Sequence, residues 1–536
     1  MTHLFFKGVL DVKLTILSTS DIHGYIYPTD YKKRKQDLPF GLLKISSLIN
    51  EIKAAETDPV LVIDNGDFLQ GSPLTYYTAK QKQQPLIYTS LLNQIGFDAG
   101  IIGNHEFNYG KEYLDESVEA LDYPVLCANI LNDQGQPAFG KAYELFAFDD
   151  LTVALLGLTT QYIPNWEQPA SINGLTFQSA TACAKEYVPK LRELADVVIV
   201  SYHGGFEKDL TTGEPTEALT GENEGYELLN KVSGIDVLLT GHQHREIATV
   251  DSSVAITQPG DKGHKLGKVC LTVEKQDGKS VILSKKAELL SVNETKANPT
   301  MEETFNTFQE EIEDWLDQNI GMITGNMLIG DPFQVRLAGH PYIDFIHKVQ
   351  MEATGTTISG TALFTNDSKG FGPTVTMRDI VTNYIYPNTL AVVRVTGSDL
   401  RQALEKSASY FSLSPSGQYE VSSDFMYPKA QQYNYDMYAG IDYIIDVSFP
   451  VGKRISQLTY SGKPIQENDE LEVVINQYRA VGGGNYDMFS ADKIIREITV
   501  DMTELIADYF KKHDRITPDT FNNFQVIQSK KELHVN

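Results

Sequence analysis

The hydrophobic and polar positions divide the first half of the chain into short apolar runs, each followed by a polar loop. Residues 12–17 are apolar enough to predict a β-strand, and residues 59–64 are apolar on both faces, as in strands buried inside layered sheets. Between them, residues 42–49 have the spacing of an amphipathic helix. Three further apolar runs have the same strand character: residues 99–102, 196–202 and 235–240. This alternation of strands and helices predicts a layered α/β domain.

Each of the five predicted strands leads into Asp, His or Asn side chains. These side chains are Asp21, His23, Asp67, Asn104, His203, His242 and His244. Five of the eleven histidines fall in these loops, whereas chance would scatter them. Because sites in α/β sheets lie at the carboxyl ends of the strands, we expect the seven side chains to meet at one edge.

The size of this set predicts two metal ions rather than one. A single tetrahedral ion needs about four ligands, whereas two ions that share one carboxylate use all seven, with Asp67 as the natural bridge. Nitrogen and oxygen ligands favour Mn, Zn, Fe or Co over Mg or Ca. Such a pair activates a water and clamps a phosphoryl group. His105 is surplus to coordination and could protonate the leaving oxygen.

Composition and charge restrict the partners. The net charge of −26 argues against binding to nucleic acid polymers or anionic membranes, while bound metals would still allow a small anionic substrate. The three cysteines predict buried thiols rather than a disulfide framework. A monomer is expected.

The sequence also bears on location. No apolar run approaches the ~20 residues of a membrane helix. Residues 1–7 lack the features of a signal peptide, so the chain as written is expected to be cytoplasmic. An extracellular or cell-wall location is the alternative if the start site is misassigned.

The second half has a different pattern. Residues 291–299 read as a polar linker and residues 301–318 as an amphipathic helix, followed by mixed helices and strands. We therefore predict a first domain at 1–296, a linker or hinge helix at 297–321 and a second domain at 322–536. Three consecutive glycines at 482–484 predict close approach of the backbone to a ligand or to another strand.

The motifs of the first half resemble the signature of the calcineurin-like metallophosphoesterases, and more narrowly the 5′-nucleotidase superfamily. The motifs are Asp21-Ile-His23, Gly66-Asp67, Gly103-Asn104-His105-Glu106, His203 with two glycines, and Gly241-His242-Gln-His244. Residues 64–73 and 103–110 are most similar to the 2′,3′-cyclic-nucleotide 2′-phosphodiesterase/3′-nucleotidase branch. The resemblance implies an N-terminal four-layer αββα sandwich and a C-terminal mixed α/β substrate domain.

The resemblance also implies roles for individual residues. The first ion would be held by Asp21, His23, Asp67 and His244. The second would be held by Asp67, Asn104, His203 and His242. In the second domain, Tyr435 and Tyr478 would sandwich the nucleobase, and Arg479, Gly482 and Gly483 would belong to the same substrate-binding set. Because stacking tolerates any base, we expect broad base specificity.

The predicted function is hydrolysis of 2′,3′-cyclic nucleotides to 3′-nucleotides, then to nucleoside and phosphate. Asn108 stands where 5′-nucleotidases carry an Asp three residues after the catalytic His, so it favours the cyclic branch. The alternatives are a 5′-nucleotidase or a broad nucleotide or sugar-nucleotide hydrolase. A different functional class is a catalytically silent protein that binds the metal ions and nucleotides but does not hydrolyse them.

Overall fold

The computed structural model describes residues 12–529, except 150, 168, 218, 277–278, 387, 428 and 499. The chain forms two compact units that divide between Glu310 and Glu311, within the helix Pro299–Leu316. The predicted domain boundaries at 296 and 322 lie on either side of this division. Residues 1–7, considered above for a signal peptide, lie outside the described residues.

In its described residues, the first unit contains two six-stranded sheets. The first sheet has the order Lys279–Ser291, Lys265–Gln276, Val12–Thr19, Val60–Asp64, Ala99–Ile101 and Val125–Leu126. The second sheet has the order Glu246–Asp251, Val254–Pro259, Val237–Thr240, Val197–His203, Leu151–Thr159 and Tyr143–Phe148. A short pair joins Ile130–Leu131 to Thr176–Phe177.

Alternation along one strand shows how the layers stack. In Leu151–Thr159, Val153 and Leu155 belong to the core between the two sheets, together with residues such as Ile16 and Ile63 of the first sheet. The side chains between them in sequence point the other way and pack against two helices, Ala180–Leu194 and Gly225–Lys231. Both faces of this sheet are covered, which explains why its strands are continuous apolar runs.

The helices of the first unit connect successive strands. They are Leu42–Ala55, Pro73–Tyr76, Leu86–Asn93, Lys111–Glu119, Ala180–Leu194 and Gly225–Lys231, with a π-helical turn at Tyr77–Lys82. Ser179 begins one of them by accepting a hydrogen bond from the Ala182 N–H (3.1 Å), which satisfies an amide that the helix itself leaves unpaired. The strands and helices predicted in this half are present, with ends shifted by a few residues.

The second unit combines a mixed sheet with several helices. Its five-stranded sheet has the order Asp436–Ala439, Ile358–Ala362, Glu470–Asn476, Leu390–Thr396 and Ile494–Ile498. A four-stranded sheet has the order Lys463–Pro464, Ile455–Tyr460, Asp442–Asp446 and Phe524–Ile527. The helices are Pro332–Ala338, Pro341–Thr354, Met377–Asn383, Gly397–Ala408, Gln477–Ala480 and Met502–Lys512.

Candidate metal centre

The candidate centre lies where the carboxyl ends of strands from both sheets meet. In the first sheet the strands Val12–Thr19, Val60–Asp64 and Ala99–Ile101 run parallel, with Leu17 opposite Val62 and Ile63 opposite Ala99. In the second sheet Val200 lies opposite Leu238, again in a parallel pair. Parallel strands end at the same edge, so the segments after them converge. All seven predicted ligands lie at these strand ends: Asp21, His23, Asp67, Asn104, His203, His242 and His244.

One group of three side chains surrounds a single point. The Nε2 atoms of His23 and His244 are 3.0 Å apart, and His244 Nε2 lies 3.4 Å from Asp21 Oδ1. The Nδ1 atom of His23 is 2.9 Å from the carbonyl oxygen of Gln70, which can only accept a hydrogen bond. The proton of His23 is therefore on Nδ1, and Nε2 presents a lone pair toward the other two side chains. Burial lowers the pKa of His23 to about 3, which keeps this ring neutral, as a ligand must be.

A second group lies on the other side of Asp67. His203 Nε2 is 3.1 Å from Asp67 Oδ2, and its Nδ1 donates to the Asn65 carbonyl oxygen (2.6 Å). His242 Nδ1 lies 2.9 Å from Asn104 Oδ1. Its Nε2 lies 2.9 Å from the carboxylate of Glu222. This contact directs Nδ1 of His242 toward the centre.

Asp67 connects the two groups. Its Oδ2 atom lies 3.1 Å from His203 Nε2 and 3.9 Å from His23 Nε2, so one carboxylate reaches both sets of imidazoles. Acidic and histidine side chains that could hold a metal ion form clusters on both sides of it. The arrangement fits the predicted bridging carboxylate.

The donor chemistry fits divalent cations. His203 Nε2 is buried and makes no hydrogen bond, although it faces the Asp67 carboxylate. Burial opposes protonation of His203, yet the Asp67 carboxylate raises its pKa to about 10. Positive charge is therefore favourable between these side chains, and a divalent cation supplies it.

The backbone at the ligands is strained. Five of the seven predicted ligands have φ in the left-handed region that favours glycine: Asp21 (55°), His23 (51°), Asp67 (58°), His242 (66°) and His244 (55°). Such a conformation costs about 1–3 kcal/mol at each non-glycine residue and persists mainly where function requires it. The loops thus hold their side chains toward the centre at a cost in stability.

Glu106 is a residue of the site whose role the sequence analysis did not find. Its carboxylate is buried and accepts hydrogen bonds from the N–H groups of Gly103, Asp67, Phe68 and Leu69, at 2.6–3.0 Å. It therefore fixes the loop that carries Asp67. The sequence shows that Glu106 directly follows Asn104 and His105. It does not show which backbone N–H groups the carboxylate contacts in the folded chain.

His105 lies beside the ligands and is half-buried. Its backbone N–H donates to Asp67 Oδ1 (2.8 Å), and its ring centroid is 5.1 Å from that of His23. Its Nδ1 atom lies 2.6 Å from Asn108 Oδ1. The structure thus places His105 next to the candidate bridging carboxylate, where its predicted role in proton transfer requires it.

In the second unit, the predicted base-stacking residue Tyr435 lies in the core. Its side chain is 0% exposed, its ring packs against Tyr410 and Phe411, and its hydroxyl donates to the Arg336 carbonyl oxygen (3.0 Å). No face of this ring is open to a base in the structure. The predicted role of Tyr435 therefore finds no support in its placement.

Arg479 is also committed to internal contacts. Its guanidinium pairs with Asp436 (2.7 and 3.0 Å), bonds to Asn434 and to the Gly483 carbonyl oxygen, and lies 3.9 Å from the centre of the Tyr486 ring. It holds the glycine loop in place, and this structural role accounts for its burial. Its predicted contact with substrate finds no support here.

The glycine loop lies against Tyr478. Gly482 has φ of 97°, and a Cβ atom at Gly483 would lie 2.7 Å from two ring carbons of Tyr478. The glycines therefore allow the backbone to lie against this ring, which is only half-buried. The predicted close approach is thus an approach to another part of the chain, and binding of substrate by Gly482 and Gly483 stays a prediction.

Comparison with known proteins identifies the family. A family model described as calcineurin-like phosphoesterase matches residues 14–246, and one described as the 5′-nucleotidase C-terminal domain matches residues 320–491. A Staphylococcus aureus structure, provisionally assigned as a 5′-nucleotidase in complex with α-ketoglutarate, is 39% identical with a TM-score of 0.91. The match covers 96% of this chain and 100% of that one. The chain belongs to the 5′-nucleotidase family of calcineurin-like phosphoesterases.

Curated relatives of this 5′-nucleotidase family member have related names. The 2′,3′-cyclic-nucleotide 2′-phosphodiesterase/3′-nucleotidase of Yersinia enterocolitica is 28% identical, over 98% of this chain and 90% of the relative. The trifunctional nucleotide phosphoesterase protein YfkN of Bacillus subtilis is 27% identical over 96% of this chain. The chain spans only 39% of the length of YfkN.

These findings confirm the predicted family, the fold class of a calcineurin-like domain with a 5′-nucleotidase C-terminal domain, and a hydrolytic enzyme. The family implies divalent metal ions, and the clusters around Asp67 could hold them. Among the described residues, no helix has the length and apolar character needed to cross a membrane.

Proposed function

We propose that this 5′-nucleotidase family member converts 2′,3′-cyclic nucleotides to 3′-nucleotides and then to nucleoside and phosphate. The convergence of six other predicted ligands on Asp67, with His105 beside them, carries the proposal. The names of the enterobacterial relatives support the substrate class.

Two ions are proposed, and each has four ligands. One would be held by Asp21, His23, Asp67 and His244, and the other by Asp67, Asn104, His203 and His242. When bound, the ions supply Lewis acidity that activates a water and neutralises charge on the phosphoryl oxygens. The mixed imidazole, carboxylate and amide set favours Mn, Zn, Fe or Co.

His105 handles the proton of the leaving group in this proposal. Its Nδ1–H donates to Asn108 Oδ1, so Nε2 is the ring nitrogen that can transfer a proton. In the first step the departing group is the ribose 2′-oxygen, and in the second it is the 3′-oxygen. Both are alkoxides that leave poorly unless they are protonated.

Tyr478 is the proposed base-stacking residue of the second unit. Its half-buried ring is supported by the glycine loop, and stacking of a base on an aromatic ring contributes about 1–3 kcal/mol whatever the base. Broad base specificity is expected from this contact.

A 5′-nucleotidase is the second candidate function. The Staphylococcus aureus structure, with its 39% identity, is assigned to that activity and favours it. Asn108 favours the cyclic substrate, because a neutral amide cannot supply the charge that an Asp would place beside His105.

A panel of substrates separates the two candidates. Phosphate release would be measured for 2′,3′-cyclic AMP (with a phosphatase to follow ring opening), 3′-AMP and 5′-AMP. The protein would be chelated and then reloaded with Mn, Zn, Fe or Co. We expect activity on the first two substrates to return with metal and to exceed that on 5′-AMP. Faster turnover of 5′-AMP would establish the second candidate, and no turnover of any nucleotide after reloading would overturn both.

A further inference from the structure

A chain of hydrogen bonds leads from His105 to a carboxylate far away in sequence. His105 Nδ1 lies 2.6 Å from Asn108 Oδ1, and Asn108 Nδ2 donates to Glu167 Oε1, also at 2.6 Å. Glu167 is half-buried, and burial raises its pKa to about 7. Glu167 lies 59 residues from Asn108 along the chain, so no local spacing in the sequence links the two side chains.

The segment that carries Glu167 is anchored to the metal centre. It follows the strand Leu151–Thr159, and the Thr160 N–H donates to the His203 carbonyl oxygen (2.9 Å). The ring of Trp166 stacks on that of His242, with centroids 5.4 Å apart and planes 29° apart. Glu167 therefore stands on a segment held against two of the ligands.

The two ends of the Asn108 amide differ in hydrogen bonding, because the oxygen accepts and the NH₂ group donates. Asn108 can present either its oxygen or its NH₂ group to His105, because the two ends have nearly the same shape. Above about pH 7 Glu167 is ionised and its carboxylate only accepts hydrogen bonds, so it attracts the NH₂ group and turns the oxygen toward His105 Nδ1. Without Glu167 the amide can turn its NH₂ group to the other tautomer of His105, in which Nδ1 presents a lone pair.

We propose that Glu167 is a positioning residue for His105 and acts through the side chain of Asn108. It keeps the amide oxygen toward Nδ1, which fixes the ring and leaves Nε2 as the nitrogen that transfers the proton. This inference rests on the role given to His105 under the proposed function.

Kinetics of the metal-loaded, full-length protein test the proposal. Glu167→Ala is expected to lower kcat on 3′-AMP about 10-fold, with KM and bound metal nearly unchanged. The loss should be small on p-nitrophenyl phosphate, because its leaving group needs little protonation. Glu167→Gln should retain most activity, since its amide oxygen still accepts from Asn108. Glu186→Ala is the control, because this carboxylate is exposed on the helix Ala180–Leu194 and pairs with Lys190 (2.8 Å).

A double substitution gives a stricter test. Asn108→Asp alone places two carboxylates in contact and is expected to lower kcat on 3′-AMP. Combining Asn108→Asp with Glu167→Gln again pairs one hydrogen-bond donor with one acceptor at this contact. The double variant should therefore recover activity that Asn108→Asp alone loses. Simple addition of the two single effects, or an equal loss of 3′-AMP and p-nitrophenyl phosphate turnover in Glu167→Ala, would overturn the proposal.

A spectroscopic readout separates this proposal from the proposed function. The Nδ1 proton of His105 should give a downfield NMR signal that is absent from His105→Gln, kept in Glu167→Gln and lost in Glu167→Ala. If the wild-type protein hydrolysed no nucleotide, the proposed function would fail. The NMR signal would still show whether Glu167 acts on His105 through Asn108. A signal unchanged in Glu167→Ala would refute the role of Glu167 whatever the substrate.

Discussion

At the scale of single residues, the metal centre depends on side chains beneath the ligands as much as on the ligands themselves. Glu106 gathers four backbone N–H groups around one carboxylate and so determines where Asp67 points. Asn65 does the same for His203, whose Nδ1 donates to its carbonyl oxygen. Such contacts orient ligands and tune their basicity.

Glu106→Gln is therefore expected to weaken metal binding. The introduced NH₂ group would face N–H donors, which leaves part of the Asp67 loop without acceptors. We expect a loss of metal affinity of about 10–100-fold. Metal content after dialysis against graded chelator measures it. Glu112→Gln, on an exposed position of the helix Lys111–Glu119, is the control. Equal metal retention in both variants would contradict this role.

Tyr478 permits a second test at this scale. Tyr478→Ala should raise KM for nucleotides roughly 10-fold, which corresponds to a stacking contribution within 1–3 kcal/mol. KM for p-nitrophenyl phosphate, which carries no base, should stay the same. Tyr427→Ala changes a tyrosine that is 51% exposed and serves as the control. An equal rise in KM for both substrates would rule out base stacking by Tyr478.

His347 gives the second unit a pH dependence of stability. The residue is buried, its Nδ1 atom lies 2.9 Å from Ser359 Oγ, and burial lowers its pKa to about 3. Below about pH 6.5 the unfolded chain binds a proton that the folded chain does not. The free energy of unfolding should thus fall by up to about 1.4 kcal/mol per pH unit as the pH decreases toward 3.

Comparison with His347→Gln isolates this contribution. Denaturant unfolding at pH 7 and at pH 5 should show a smaller loss of stability in the variant than in the wild type. Identical losses in the two proteins would show that other groups determine the acid sensitivity.

At the scale of elements, the site is built by strand ends, and these were the predictable part. Parallel strands buried on both faces leave a strong apolar pattern in the sequence. The loops after these strands, and the candidate ligands in those loops, could therefore be identified from the sequence. Glu106 and Glu167 could not be assigned, because their partners are chosen by tertiary packing rather than by local spacing. Tyr435 was assigned by its motif, and burial among other rings placed it in the core. A motif identifies a loop but not which way each side chain turns.

The loop before His105 gives a test at this scale. A Cβ atom at Gly103 would lie 2.3 Å from Asp67 Oδ1 and 2.6 Å from the Asp67 N atom. Gly103→Ala must therefore displace the Asp67 loop, and we expect loss of bound metal and of activity. Gly330→Ala is the control, because a Cβ atom there meets nothing within 4 Å. Full metal content in Gly103→Ala would show that the loop can shift without cost.

At the scale of the whole molecule, the proposed metal ligands all belong to the first unit. The chain carries a net charge of −26, and five of the seven proposed ligands stand on strained backbone. Bound cations would offset negative charge and strain in the first unit. The second unit holds none of the seven proposed ligands.

Removal of the ions should accordingly affect one unit. At metal concentrations about 100 times Kd, one bound ion stabilises by about 2.7 kcal/mol, so local opening should slow about 100-fold. Hydrogen exchange of amides near Asp67, His203 and His242 should accelerate on chelation, while amides of the helix Pro341–Thr354 keep their rates. Equal acceleration in both units would contradict a centre built only from the first.

The spread of the ligands along the chain has a consequence for biosynthesis. The side chains of Asp21 and His244 lie 3.4 Å apart, although Asp21 belongs to the first of the ligand-bearing loops along the chain and His244 to the last. A nascent chain on the ribosome exposes Asp21 and His23 early but cannot complete either coordination shell before the segment with His242 and His244 has emerged. With the proposed ligand sets, metal loading would thus come late in maturation, after His242 and His244 have been synthesised.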